Sequence, residues 1–202
     1  MRVYLIVFTP DYEGIRKMQA LGFFIRSLRK VKLLYIFGGL PGTGKSELSK
    51  YLSETIGAIY LRIDTIEQAL KNNGISNIYD EGYKVAASIA SENLKLGQSV
   101  VADSTNPVNE SRELWRNAAT RSSSQFIEIE IICSDLLEHK QRIETRVSDI
   151  QELKLPTWES VVEREYHQWM TERVVIDTAG RSLEQSRYDL MDALGFSVPT
   201  KA

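Results

Sequence analysis

The 202 residues leave room for one sizeable domain with a short appendage. Hydrophobic residues at 43% and charged residues at 26% are ordinary for a soluble globular chain with a buried core. A net charge of −2 excludes a global pull toward nucleic acid or an anionic membrane, and a single cysteine, Cys133, excludes an internal disulfide and fits a reducing compartment.

Charge is nevertheless uneven. Residues 1–32 carry seven basic side chains (Arg2, Arg16, Lys17, Arg26, Arg29, Lys30, Lys32) against Asp11 and Glu13, a surplus of +5 that leaves −7 for the rest. The apolar runs Val3–Phe8 and Leu21–Ile25 fall far short of the roughly 18–20 residues that span a bilayer. Asp11, Tyr12 and Glu13 follow the first run, and no small-residue cleavage site marks a signal peptide. Residues 1–31 therefore read as a basic extension outside the main domain, which occupies 32–202. Val3–Phe8 has the pattern of an added edge strand and Gly14–Arg29 that of a basic amphipathic helix, suited to a partner or a membrane surface. A loosely packed terminus and a misplaced start, with Val31 as the true beginning, are the plainer readings. The expected location is cytoplasmic.

The regular pattern begins at Lys32. KLLYIF (Lys32–Phe37) is short, apolar and aromatic, the signature of a buried strand, and it ends at Gly38-Gly39. Next comes GLPGTGKS: Gly39, Leu40, Pro41, Gly42, Thr43, Gly44, Lys45 and Ser46 fit G-x-x-x-x-G-K-[ST] at every fixed position. Glycines let successive backbone N–H groups turn inward and make an anion nest, a conformation closed to most residues. A helix from Lys45 to about Ile56, apolar at Leu48, Leu52 and Ile56, points its positive end at the same place. These residues are expected to hold the phosphates of ATP, with Lys45 bridging the β- and γ-phosphates and the Ser46 hydroxyl on Mg²⁺.

AIYLRID (Ala58–Asp64) reads as a second strand and Thr65–Lys71 as a helix broken by Asn72-Asn73-Gly74. Asp64 stands where a carboxylate would accept the proton of an attacking hydroxyl; the structural alternative is an N-cap for that helix. A helix over Glu81–Leu96 stops at Gly97, and SVVAD (Ser99–Asp103) is a third strand. Asp103 closes the apolar run in the manner of a Walker B aspartate, holding Mg²⁺ or its waters opposite Ser46, or else caps a turn. Pro107 suits the first turn of a helix reaching about Arg121, on which Arg112 either meets an acidic or phosphorylated acceptor or faces water.

QFIEIEIIC (Gln125–Cys133) alternates cleanly and is a fourth strand. Helical patterns follow at Leu136–Val147 and Glu159–Glu172, parted by a loop containing Pro156. Arg142 and Arg146, four apart on one helix face, either close over the phosphates or pair with Glu138 and Glu144 at the surface. RVVID (Arg173–Asp177) is the fifth strand and Leu183–Leu194 the last helix. DTAG (Asp177–Gly180) imitates a GTPase motif, but so little chain follows it, and with no N-K-x-D, that Thr178–Gly180 is better placed as backbone beside the adenine. Five strands alternating with helices specify an α/β fold: a parallel sheet covered on both faces, in three α/β/α layers.

The order GLPGTGKS, RID, VVADSTNP with Arg112, the paired arginines and VVIDTA resembles the small P-loop kinases. The branch is that of polynucleotide 5′-kinase domains, adenylylsulfate-kinase-like proteins and the zeta-toxin and chloramphenicol-phosphotransferase kinases. The resemblance covers about Lys32 to Leu194. It implies a P-loop NTPase sheet in the order 2-3-1-4-5 and a lid over ATP. It also implies Asp64 as the base-like residue, Asp103 at the magnesium site, Thr105 and Asn106 beside the acceptor, and Arg142 and Arg146 as lid arginines. Polynucleotide kinases carry an arginine three residues after that aspartate, where this chain has Glu67; a nucleic-acid acceptor is accordingly not expected.

The expected function is transfer of the ATP γ-phosphoryl, with Mg²⁺, to a hydroxyl of a small-molecule or nucleotide-like acceptor. The alternative is a P-loop ATPase or switch that hydrolyses nucleotide slowly without an acceptor.

Overall fold

The computed structural model describes residues 32–196. The expected strand and helix within residues 1–31 lie outside them.

Leu33–Gly38 forms β1, whose apolar side chains are buried on both faces, as a central parallel strand requires. Helix α1 (Lys45–Ile56) starts from Gly44 and ends at Gly57, both left-handed. β2 (Ile59–Arg62) runs directly into α2 (Ile63–Asn72), and α3 (Glu81–Lys95) leads to β3 (Val100–Asp103). Helix α4 (Asn109–Arg121), β4 (Gln125–Ile132), α5 (Leu136–Thr145), α6 (Trp158–Val162), β5 (Val174–Asp177) and α7 (Leu183–Ala193) follow.

All the strand pairs are parallel, and the order is β2-β3-β1-β4-β5, as the resemblance implies. One face of the sheet packs Leu34, Ile36, Val100 and Ala102 against α3 and α4, where Ala86, Ala90 and Leu94 recur every fourth residue. The other packs Tyr35, Phe37, Val101, Ile129 and Ile176 against Leu48 and Leu52 of α1 and Leu190 and Met191 of α7. Register then decides what meets at the sheet's carboxyl edge. Asp103 is level with Phe37 on one side and Arg62 on the other, and Asp177 is level with Ile132.

Two expectations change. The helix expected from Pro107 begins at Asn109, because the Pro107 carbonyl accepts from His167 N at 2.7 Å and Arg112 Nη2 at 3.2 Å rather than opening a helical turn. The helix expected over Glu159–Glu172 is only Trp158–Val162. Beyond it the chain lies extended across the polar face of β4. The His167 and Gln168 carbonyls, which a helix would use, accept from Arg112 at 2.6 and 3.2 Å. The two glutamates of the β4 alternation are covered there. Glu128 pairs with Arg116 at 2.7 Å, and Glu130 accepts from Arg173 at 2.6 Å and Tyr166 at 3.1 Å.

Candidate active site

The loop between β1 and α1 owes its shape to two close approaches. Gly39 has φ +138°, and a Cβ there would run into the Ile131 carbonyl; Gly42 has φ +84°, and a Cβ there would stand 2.6 Å from Ile143 Cδ1 on α5. The loop is further fixed from outside. Gly39 N donates to Thr105 O at 3.0 Å, and His139 Nε2 lies 2.7 Å from Pro41 O with the Trp158 ring edge-on at 5.3 Å.

At the mouth of this loop lies a charge cluster built from the start of α1 and the strands β2 and β3. Lys45 Nζ donates to Asp103 Oδ1 at 2.5 Å, with 9% of the lysine side chain and none of the aspartate's exposed. Tyr60 OH donates to the other oxygen at 2.7 Å, and Arg62 Nε stands 3.8 Å away. Burial alone would raise the Asp103 carboxyl. The Lys45 charge and hydrogen bonds from Lys45, Tyr60 and Ser46 outweigh it and hold the group below the usual carboxylate range. The Tyr60 phenol is pushed far above its ordinary value by burial and then by the Asp103 charge, so it remains a donor.

Ser46 lies near enough to Asp103 to help lower its carboxyl, while the bonds that Asp103 accepts come from Lys45 and Tyr60. A hydroxyl and a buried ionised carboxylate, beside room for water and phosphate oxygens, is a donor set that fits Mg²⁺. Among the described residues no cluster of three or more His, Cys, Asp or Glu could hold a metal by protein ligands alone.

A cavity of about 470 Å³ opens from the loop. Lys45, Ser46, Asp64, Thr105, Arg142 and Arg146 all line it, so the fold gathers residues spread over a hundred positions into one space. Asp64 sits in the first turn of α2, whose N-cap is Arg62 without a side-chain bond, so Asp64 is not the cap. Arg146 leaves α5 as its extended C-cap. Its guanidinium lies near Asp64 and Arg62, and its Nε has no partner among the described residues. A smaller cavity of about 250 Å³ lies on the other side of the loop, bordered by Gly44, Leu48, Thr178, Arg181 and Leu183.

Several residues are placed otherwise than expected. Arg112 neither reaches a cavity nor faces water: it is 1% exposed, its guanidinium carbon lies 4.0 Å from the centre of the Trp169 ring, and it donates to the carbonyls of Asn106, Pro107, His167 and Gln168. It staples the loop after β3 to the segment after α6. Asn106 is fully buried with φ +49° and donates to Phe37 O at 2.8 Å, which holds Thr105 in place but keeps its own side chain out of the cavity. Arg142 is not loose over the loop. It pairs with Glu138 at 2.6 Å and donates to Thr178 Oγ1 at 2.8 Å and Thr178 O at 2.9 Å. The Thr178 hydroxyl in turn donates to Thr43 O at 2.9 Å, so Thr178 touches the back of the loop and borders the smaller cavity. Asp177 accepts from Ser134 N and Ala179 N, both at 3.0 Å, a turn role.

Tyr60, Arg62, His139 and Asp149 take parts that the sequence analysis did not assign. Arg62 Nη1 donates to Asp149 Oδ2 at 2.7 Å, tying the end of β2 to the loop after α5. The adjacent R-I-D was the only available signal. Glu67, one turn after Asp64, is half-buried; burial and then the Asp64 charge raise its carboxyl, while Lys71 and Arg164 oppose the shift.

Residues 34–169 match a family model described as AAA domain. Among solved structures, the Mycobacterium tuberculosis APS kinase CysC in complex with AMPPNP and APS is similar over 81% of this chain and 98% of its own, at 17% identity and TM-score 0.62. A gluconokinase from Sinorhizobium meliloti 1021 is similar over 81% and 91%, at 15% identity and TM-score 0.56. Chaetomium thermophilum Kti12 in complex with ADP-AlF3 is similar over 79% and 98%, at 18% identity and TM-score 0.56. At such identities the likeness is one of fold. No curated protein matches the sequence. No helix among the described residues is long and apolar enough to cross a membrane.

Proposed function

The chain belongs to the AAA-domain family, with the fold of the small P-loop kinases, and from that premise we propose that it is an ATP- and Mg²⁺-dependent phosphotransferase acting on a hydroxyl. The observation that carries this reading is a single cavity lined by the phosphate loop, by Lys45 and Ser46 and by Asp64, with the buried Asp103 behind Lys45.

The backbone N–H groups of Gly44, Lys45 and Ser46 at the start of α1 bind the ATP phosphates, and the positive end of that helix adds to their field. Lys45 leaves Asp103 for the β- and γ-phosphates, since a polyanion offers its ammonium more charge than one carboxylate does. Asp103 and Ser46 would then hold Mg²⁺, which supplies charge neutralisation across the phosphate oxygens. Asp64 orients the acceptor hydroxyl and takes its proton. Arg146 faces the same space and stabilises charge on the moving phosphoryl group, while Arg142, held by Glu138 and Thr178, fixes the wall beside it; Thr105 borders the acceptor. Phosphoryl transfer demands positioning more than covalent chemistry, and these residues supply positioning. The adenine is assigned to the smaller cavity beside Thr178.

The test is transfer from γ-labelled ATP with Mg²⁺ to a panel of hydroxyl compounds, with Asp64→Asn as control. A labelled product lost in the variant is expected. Slow phosphate release with no labelled acceptor, unchanged in Asp64→Asn, would identify a hydrolytic switch instead.

A further inference from the structure

Beyond Asp64 the larger cavity carries more charge than phosphoryl transfer explains. Its outer wall presents Lys71 from α2, Arg146 from the end of α5, Lys154 from the following loop and Arg164 from just past α6. None of these four has a carboxylate within ion-pair distance among the described residues. The other cations of the cavity are already matched: Lys45 by Asp103, Arg142 by Glu138 and Arg62 by Asp149. Against the four stand Asp64 and Glu67; the remaining acid, Glu47, lies on α1 and borders both cavities. Four cations facing two carboxylates leave a surplus of two positive charges on the acceptor side.

We propose, on the phosphotransferase reading above, that the acceptor is a small hydroxyl compound carrying a phosphate monoester, whose dianion is held by Lys71, Lys154 and Arg164 while its hydroxyl faces Asp64. A monoester carries about −1.5 to −2 charges near pH 7, the sign that this cationic wall attracts. The size agrees, because about 470 Å³ holds a sugar-sized molecule beside the nucleotide phosphates. The arrangement also separates two roles. Arg146, close to Asp64 and Arg62, serves the transferring phosphoryl group, whereas Lys71 and Arg164 flank Glu67 one turn further out. Gly82 on α3 makes room for Glu67, since a Cβ there would stand 2.5 Å from its Cγ. The product would carry two phosphate groups.

The test loads the full chain with Mg²⁺ and a non-hydrolysable ATP analogue, so that the phosphate loop is filled. Ribose 5-phosphate and glycerol 3-phosphate are then titrated beside ribose and glycerol by calorimetry. At least one ester should bind about tenfold or more tightly than its parent. Arg164→Gln and Lys71→Gln should each weaken that ester several-fold and leave the parent alone, while Lys95→Gln, exposed and paired with Glu92, should change nothing. Esters binding no better than parents, or binding indifferent to both cavity variants, overturns the inference. Label transfer is read separately. Ester binding without transfer to any acceptor sinks the phosphotransferase and leaves the anion site standing. Transfer to a neutral parent faster than to its ester does the reverse.

Discussion

Lys45 should be a stabilising residue as well as a ligand for phosphate, and Lys45→Ala separates the two. In the nucleotide-free chain its ammonium is the nearest counter-charge of Asp103, whose side chain is wholly buried. Removing one member of a buried pair typically costs about 3–5 kcal/mol, because the other is left uncompensated. Here the Tyr60 hydroxyl at 2.7 Å and Arg62 Nε at 3.8 Å remain, so the low end, about 3 kcal/mol, applies. With a urea slope of about 2 kcal/mol per M, the midpoint should fall by about 1.5 M. Adding Asp103→Asn removes the orphaned charge, so the double variant should recover a large part of the loss. Urea titrations of wild type, both single variants and the double variant without nucleotide, followed by circular dichroism, make a complete cycle. A Lys45→Ala loss below about 1 kcal/mol, or a double variant no more stable than Lys45→Ala, would refute the argument that the pair compensates a buried charge.

Other outcomes follow from the same geometry. Asp64→Asn should keep ATP binding within about twofold and slow transfer by about 100-fold or more, read by calorimetry and γ-label transfer. Arg112→Lys should lower stability by about 2–4 kcal/mol, read by denaturant titration, because a lysine cannot stack on Trp169 and reach four carbonyls together; any protein that remains folded should keep its acceptor KM. Gly42→Ala should weaken ATP binding by about tenfold or more in a titration, since φ +84° and Ile143 both oppose a Cβ. The Asp103 carboxyl is lower folded than unfolded, so its stabilisation is present at neutral pH and is lost as the pH falls below the ordinary carboxylate range. Glu67 has the opposite sign: its raised carboxyl disfavours the ionised form, so Glu67→Gln should raise the thermal midpoint at neutral pH and leave it unchanged in acid.

Local signals decided much of this molecule in advance. The phosphate loop needs glycines, a lysine and a hydroxyl at fixed spacing, and no other conformation uses G-L-P-G-T-G-K-S so fully; Lys45–Ile56 is the helix as read. The five strands are short apolar runs bounded by turns, and their alternation with helices leaves few arrangements. Asp103 was legible as the acid closing a strand, whereas Asp64, read as a strand tip, lies in the first turn of α2 because β2 ends at Arg62. What the sequence by itself could not decide depends on partners distant along the chain. Arg112 looks like an exposed helical arginine until Trp169 and the carbonyls of 167 and 168 close around it. The same contacts cancel a helix that periodicity supports over Glu159–Glu172, because the carbonyls that would propagate it are already bonded. Asn106 follows a strand end and faces the interior, Arg142 is tied to Thr178, and Asp103 is matched by Lys45, 58 positions away. Hydrophobic period and loop chemistry act within a few residues and can be read in order, whereas a buried charge takes its role from whichever groups the fold brings to it.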